Sequence, residues 1–273
     1  MNVHEKWDRL AAVLRGMESA VLAFSGGVDS SLLLKAGVDA LGGKFLAVTA
    51  LSDTYPAAEL VDAREFARSV GAAHLVIESD ELRSEDFCSN TPERCYYCKS
   101  ELFGKLVSLA RERGFAQVLD GSNLDDLADH RPGRRAAAKY SVRSPLIEAK
   151  FTKQDVRELA RSFNLPVWDK PSLACLASRI PYGTQVTPAL LKAIGSAEDV
   201  LVGMGFRQVR VRHHGDTARI EISPGDFGRI STGDSTRRIV SALKKLGYTY
   251  VCLDLEGYRT GSMNEGLMER VPI

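Results

Sequence analysis

Ser25-Gly26-Gly27-Val28-Asp29-Ser30-Ser31 holds the residue types that grip a phosphate. The two glycines let the backbone approach an anion closely and permit positive φ, and the serine hydroxyls add donors. The stretch follows Ala20–Phe24, an apolar run that reads as a buried strand, and leads into a helical pattern from Ser30 to Leu41. A helix that begins at such a turn adds unpaired N–H groups and the positive end of its dipole. Asp29 is a poor direct neighbour for phosphate, so its chemistry points to a Mg2+ ligand. The loop is not the G-x-x-x-x-G-K-S/T type, because it lacks the longer glycine span and the Lys-Ser/Thr pair. A second polar stretch, Gly121-Ser122-Asn123-Leu124-Asp125-Asp126, follows the strand-like Gln117–Gly121. Gly121, Asn123 and Asp126 are candidates to meet phosphates and their metal; the plainer reading is a solvated loop. Ala50, at the end of another apolar run, is where a nucleoside would lie against backbone groups.

Cysteines form the next group. Cys95 and Cys98 have the C-x-x-C spacing that lets two thiolates reach one metal or one redox centre. There is no second C-x-x-C and no His-x3-His, so local sequence does not complete a zinc site, and two ordinary thiols at a helix start are the alternative. Cys175 lies between Lys170 and Arg179, cations that favour a nucleophilic thiolate. Cys88 has no such context, and Cys252, alternating within an apolar strand, reads as a core residue. The third group is basic. Arg210 and Arg212 are two apart in a strand pattern and so share a face. With Arg179 and Arg259 they could make a site for an anionic small molecule, since guanidinium forks bind phosphate and carboxylate. The alternative is a surface pair bridged to Glu221. Glu221 and Asp226 are candidates to serve that pair or to hold a second metal.

The elements that must position these groups fall into two patterns. Apolar strands at Ala20–Phe24, Phe45–Ala50, His74–Ile77 and Gln117–Gly121 alternate with helical patterns, which argues for a parallel, doubly wound α/β sheet. Ligands on such sheets sit at the carboxyl ends of the strands, where the Ser25 and Gly121 loops emerge. Pro166 and Pro171 mark the exit from this first domain, taken as residues 1–170. From residue 180 to 273 a helix (Pro188–Met204), two alternating strands (Gln208–His214, Thr217–Ile222), a helix (Arg237–Leu246) and a strand (Tyr248–Asp254) predict a smaller α+β domain.

The chain has 273 residues, 44% apolar and 26% charged, with net charge +1, so no global basic field argues for nucleic acid. No apolar run approaches the roughly 20 residues that span a bilayer, and Met1–Trp7 has no apolar signal core. The expectation is a cytoplasmic protein with reduced cysteines.

Ser25–Ser31 resembles the S-G-G-x-D-S loop of the PP-loop ATP pyrophosphatases. The wider set of Phe24–Ser31, Arg94–Lys99, Gly121–Gly133, Lys170–Gly183, Val209–His214 and Gly257–Asn264 resembles the LarE family of ATP-dependent sulfur transferases, with Pro171–Gly183 the most specific part. The resemblance implies a PP-loop (adenine nucleotide α-hydrolase-like) domain followed by a smaller substrate and oligomerisation domain. It implies ATP held by Ser25 to Ser31, including Val28, with Mg2+ at Asp29, and a homo-oligomer with no role for membrane or nucleic acid. The implied substrate is pyridinium-3,5-biscarboxylic acid mononucleotide, gripped by Ser178, Arg179, Arg210, Arg212 and Arg259. The implied product is a thiocarboxylate on the route to the nickel-pincer nucleotide cofactor of lactate racemase. Two sulfur sources are open: Cys175 sacrificed to dehydroalanine, or a [4Fe-4S] cluster on Cys95, Cys98 and Cys175 carrying an extra sulfide. Within the superfamily the alternatives are an amidating ligase, which has no use for Cys175, and a tRNA thiolase; outside it stands a non-enzymatic nucleotide- or metal-binding protein.

Overall fold

The computed structural model describes all residues except Met1, Pro56, 128–131, Ser172, Leu173, Thr260 and 264–273, and the side chains of Ala57 and Ala58. The chain forms two compact units, Met1–Phe87 with Pro92–Leu173, and Cys88–Thr91 with Ala174–Ile273.

The first unit opens with α1 (Val3–Arg15), started by a capping box in which Asn2 and Glu5 satisfy each other's backbone N–H. Then come β1 (Ala20–Ala23), α2 (Val28–Leu41), β2 (Phe45–Leu51), α3 (Ala57–Ser69), β3 (Ala73–Glu78), the one-turn α4 (Glu85–Cys88) and the long α5 (Arg94–Arg113). Gly114 ends α5 at φ 72°, in the left-handed cap that glycine takes without strain. β4 (Gln117–Leu119), α6 (Gly133–Lys139), α7 (Pro145–Glu148) and α8 (Lys153–Ser162) complete the unit. The strands are parallel, in the order β3-β2-β1-β4. Leu22 and Ala47 join a core with α1, α2, α3 and α8, while Val21, Leu46 and Val48 join another with α5 and α6. Helices therefore cover both faces, as the strand–helix alternation predicts. The chain runs outward from β1 through β2 to β3, then returns to lay β4 on the other side of β1. That reversal opens a crevice at the carboxyl ends of β1 and β4, the usual ligand position in this architecture.

The second unit contains α9 (Pro188–Gly203), β5 (Val209–His214), β6 (Thr217–Ile222), α10 (Phe227–Ile230), α11 (Gly233–Lys245) and β7 (Tyr250–Leu253). β5 and β6 are antiparallel, and β7 adds parallel to β6 after the α11 crossover. Val209, Val211, Ala218, Ile220 and Ile222 pack with Leu201, Phe206, Ile239 and Leu243. The opposite phase of the strands is polar: Arg212 pairs across from Arg219, which pairs across from Cys252. Cys252 is exposed, not a core residue. Val251 and Leu253 hold the apolar phase of β7, and the period of two sends Cys252 and Tyr250 the other way.

Residues 88–91 belong to this second unit although the chain on both sides belongs to the first. Asn90 is fully buried, and its amide donates to the carbonyls of Pro181 and Thr184 at 2.8 and 2.9 Å. Its own carbonyl accepts from Gly183 N–H, and that of Cys88 accepts from Val186 N–H. Among the described residues no helix is long and apolar enough to cross a membrane.

Candidate functional site

In the first unit, the loop between β1 and α2 carries the candidate anion-binding groups. Gly26 lies at φ 71°, and Gly27 caps α2 with extended backbone and no side-chain hydrogen bond. The first-turn N–H groups of α2 are thus left without a side-chain cap. Ser30 Oγ lies 3.1 Å from both Ser25 Oγ and the Gly27 carbonyl. The buried Ser31 Oγ has no hydrogen-bond partner. Tyr55 donates its hydroxyl to the Ser25 carbonyl at 2.8 Å, tying the loop to the segment after β2. Burial raises the Tyr55 pKa far above its ordinary value, with Glu59 and Asp62 adding to the effect, so the phenol stays a donor.

The Gly121 stretch meets this loop. Asn123 Nδ2 donates to Asp29 Oδ1 at 2.9 Å, and Asn123 N–H is held by Asp126 Oδ2 at 3.0 Å. A Cβ on Gly121 would lie 3.0 Å from the Ser30 backbone nitrogen, so only glycine lets the strand end come this near α2. Ala50 is half-buried at the carboxyl end of β2, beside β1. One further residue joins the group without having been singled out in the sequence. Lys153, the first residue of α8, ion-pairs with Asp29 through its ammonium while its backbone N–H donates to Asp125 Oδ2 at 2.9 Å. A lysine at a helix N-terminus runs against the dipole, a signal that it has an acidic partner elsewhere. The ammonium seated on Asp29 marks the place where a cation is held, which fits one protein carboxylate sharing Mg2+ with phosphate oxygens.

Cys95 and Cys98 lie near the start of α5, Cys95 exposed and Cys98 partly buried. Among the described residues no group of three or more His, Cys, Asp or Glu is gathered for a metal.

In the second unit, Cys175 is exposed and precedes a 3-10 turn, Leu176–Arg179. Lys170, expected as a cation for this thiol, instead ion-pairs with Glu59 and Asp62 at 2.7 Å in the first unit. Ser172 and Leu173, part of the motif around Cys175, lie outside the described residues. Arg179, expected to grip substrate, is 1% exposed. It makes a two-pronged pair with Glu198, Nε to Oε1 and Nη2 to Oε2, both 2.9 Å. Its remaining nitrogen donates to the carbonyls of Ala174 and Cys175 and to Ser178 Oγ. Glu198 stands on α9 between the core positions Ile194 and Leu201, so its signal was a charge on the apolar stripe of that helix.

Arg210 and Arg212 are buried, which removes the reading of a surface pair. Arg212 donates to Ser178 O at 3.1 Å, to Glu221 Oε2 at 2.8 Å and to Ser262 Oγ at 3.0 Å. Its Nε–H has no partner, and neither has that of Arg219 across the strand pair. Arg210 lies over the Tyr258 ring at 5.2 Å. Burial, and then the charge of Arg179, pulls its pKa down to about 10. Arg259 is half-buried and pairs with Asp254 and Glu256. Both oxygens of the fully buried Glu221 are taken, by Arg212 on one side and by Arg219 and Ser262 on the other. Glu221 is therefore an ion-pair residue of the arginine group and not an open metal ligand, and Asp226 pairs with Arg229 at 2.8 Å. The group concentrates guanidinium charge with two buried donors unmet, the electrostatics of a site for an anion.

No family model matches the chain. Individual proteins do. It is 40% identical over 265 residues to the uncharacterized protein slr1717 of Synechocystis sp., covering 97% of this chain and 99% of that one. It is 39% identical over 259 residues to the pyridinium-3,5-bisthiocarboxylic acid mononucleotide synthase of Lactiplantibacillus plantarum, covering 94% and 93%. It is 31% identical to the tRNA-specific 2-thiouridylase MnmA of Xanthobacter autotrophicus, over 55% of this chain and 48% of that protein. The partial match to MnmA fits a shared PP-loop fold, whereas the match to the synthase runs through both units. On that full-length similarity the chain belongs to the family of the pyridinium-3,5-bisthiocarboxylic acid mononucleotide synthase, the LarE family of PP-loop sulfur-transferring enzymes.

Proposed function

We propose that this enzyme adenylylates a carboxylate of pyridinium-3,5-biscarboxylic acid mononucleotide and converts it to a thiocarboxylate, a step toward a nickel-pincer nucleotide. A carboxylate is a poor acyl donor until its oxygen becomes a leaving group. In the first unit, Ser25, Ser30, Ser31 and the α2 N–H groups bind ATP phosphates, with Asn123 orienting Asp29. Asp29 holds Mg2+, which when bound neutralises charge on the departing pyrophosphate. Lys153, released from Asp29, adds a cation for the same phosphates. In the second unit, Arg210, Arg212 and Arg259, with Ser178, grip the phosphate and carboxylates of the substrate.

Cys175 is the sulfur donor in this reading. Its thiolate attacks the acyl adenylate, the new C–S bond forms and AMP leaves with the C–O electron pair. Removal of the Cys175 α-proton then breaks its Cβ–S bond. The thiocarboxylate leaves and dehydroalanine stays in the chain. The observation that carries the reading is the exposed Cys175 on a segment hydrogen-bonded to a buried arginine group in one unit, while the other unit presents an uncapped phosphate loop. Cys95 and Cys98 support a second sulfur source, a [4Fe-4S] cluster, by their spacing alone. The same reading takes the protein as a cytoplasmic homo-oligomer acting on a free mononucleotide; the net charge of +1 favours that over tRNA.

The test combines anaerobic purification, an iron and sulfide assay, and intact mass before and after turnover with ATP, Mg2+ and the pyridinium dicarboxylate. The chain is expected to lose about 34 Da, the mass of one hydrogen sulfide, per thiocarboxylate formed. Full sulfur incorporation by a Cys175→Ala variant would sink the reading. Iron–sulfur absorbance with unchanged mass would move the source to the cluster.

A further inference from the structure

Release of sulfur from Cys175 is chemically the harder half of the proposed transfer. The α-proton of a peptide residue is only weakly acidic. When it is removed, negative charge passes onto the carbonyl oxygen of the same residue before the Cβ–S bond breaks. The Cys175 carbonyl oxygen already receives two donors. Arg179 Nη1 lies 3.0 Å away and the Ser178 backbone N–H 2.9 Å away. Both distances lie within the range of about 2.7–3.1 Å that oxyanion-stabilising donors occupy. Arg179 is fixed in this aim. Glu198 holds two of its nitrogens at 2.9 Å, and Glu198 Oε1 also accepts from Val211 N–H on β5 at 3.0 Å. At 1% exposure the guanidinium acts with little solvent screening.

We propose that Arg179 is a catalytic residue for the elimination at Cys175, stabilising the enolate charge on the Cys175 carbonyl oxygen, and that Glu198 is its positioning residue; this rests on Cys175 being the sacrificed donor. The step balances without a further reagent. The Cys175 α-proton passes to a solvent base, which reaches the exposed residue. Its electron pair becomes the Cα–Cβ double bond, and the thiocarboxylate departs with the Cβ–S pair. This role differs from substrate binding, because Glu198 and the 174–178 segment engage all three guanidinium nitrogens.

The test is a single-turnover time course by intact mass, with ATP, Mg2+ and the pyridinium dicarboxylate. Wild type is expected to pass through the thioester adduct to the chain lighter by about 34 Da. In Arg179→Lys the adduct is expected to form and accumulate, because an ammonium cannot serve Glu198 and the carbonyl together. Should that variant not fold, Arg179→Met with Glu198→Gln removes both charges while keeping an acceptor for Val211. Loss of the oxyanion donor slows elimination on the order of 10²–10³-fold. Dehydroalanine forming at the wild-type rate in a folded variant overturns the proposal and leaves the donor reading standing. A raised KM with unchanged elimination also overturns it, returning Arg179 to substrate binding. Wild type that transfers sulfur without losing mass overturns both.

Discussion

Gly121→Ala tests whether the Gly121 stretch and the α2 N-terminus form one site. The added Cβ would stand 3.0 Å from Ser30 N, 3.1 Å from Ser30 Cα and 3.3 Å from Ser30 Cβ. Ordinary contact begins at 3.4 Å, and the first two of these atoms are backbone, so no rotamer change relieves the clash. The strand end or the helix start must move by about 0.4 Å. Overpacking of this kind costs about 1–3 kcal/mol, which lowers the unfolding midpoint of a unit of this size by roughly 2–12 °C. The moving atoms include the N–H groups read as phosphate donors. Weakening one such hydrogen bond to a charged phosphate costs about 1.5 kcal/mol, so ATP binding falls by about tenfold. Calorimetric titration with α,β-methylene-ATP and thermal unfolding with and without it read both effects. Gly43→Ala, which has open space around its Cβ, serves as the neutral control. A Gly121→Ala protein with the midpoint and nucleotide affinity of the control would refute the joined site.

Glu221→Gln leaves the buried Arg212 without its counter-charge, while Arg219 keeps Asp254, and thermal unfolding should show a loss of about 3–5 kcal/mol in the second unit. Lys153→Met breaks a partly exposed pair worth less than about 1 kcal/mol, so stability should hold while pyrophosphate release falls at least roughly tenfold. Burial lowers the pKa of His213, and burial followed by the charge of Arg64 lowers that of His74, from 6.5. The unfolded chain therefore takes up protons first, and the stability these neutral rings contribute is present above pH 6.5 and lost as pH falls through that value toward the folded pKa values. Unfolding midpoints from pH 7.5 to 5.5 should decline, and His74→Gln should flatten that decline.

The first unit was readable because its signals are local. A buried parallel strand is a short apolar run, and a phosphate loop is a contiguous string, so Ser25–Ser31 and Gly121–Asp126 stood out before their meeting was visible. Lys153 stayed hidden because its partner Asp29 lies 124 positions away. The arginine group was legible as a same-face pair through the period of two, but its burial was not. Segments near Ser178 and Ser262 cover it, and coverage is a tertiary property. Arg179 shows the same limit in sharper form. Its charge beside Cys175 suggested an open cation, while Glu198 on a distant helix makes it an internal clamp. Cys252 is hidden for a different reason: Tyr250-Val251-Cys252-Leu253 carries core-compatible residues in both phases, so the alternation alone does not say which phase packs.

The excursion at Cys88–Thr91 bears on how such a protein can be rearranged. The chain passes into the second unit and back once before its last passage after Leu173. A gene cut at that last passage would strip the carboxyl-terminal half of Asn90, the buried amide that organises 180–184. It would leave in the other half a four-residue inset parted from the 180–186 backbone it bonds. The two units are thus not freely exchangeable cassettes. Recombination that trades one carboxyl-terminal half for another must carry this short inset along, so fusions spliced only near residue 173 are expected to yield a defective second unit.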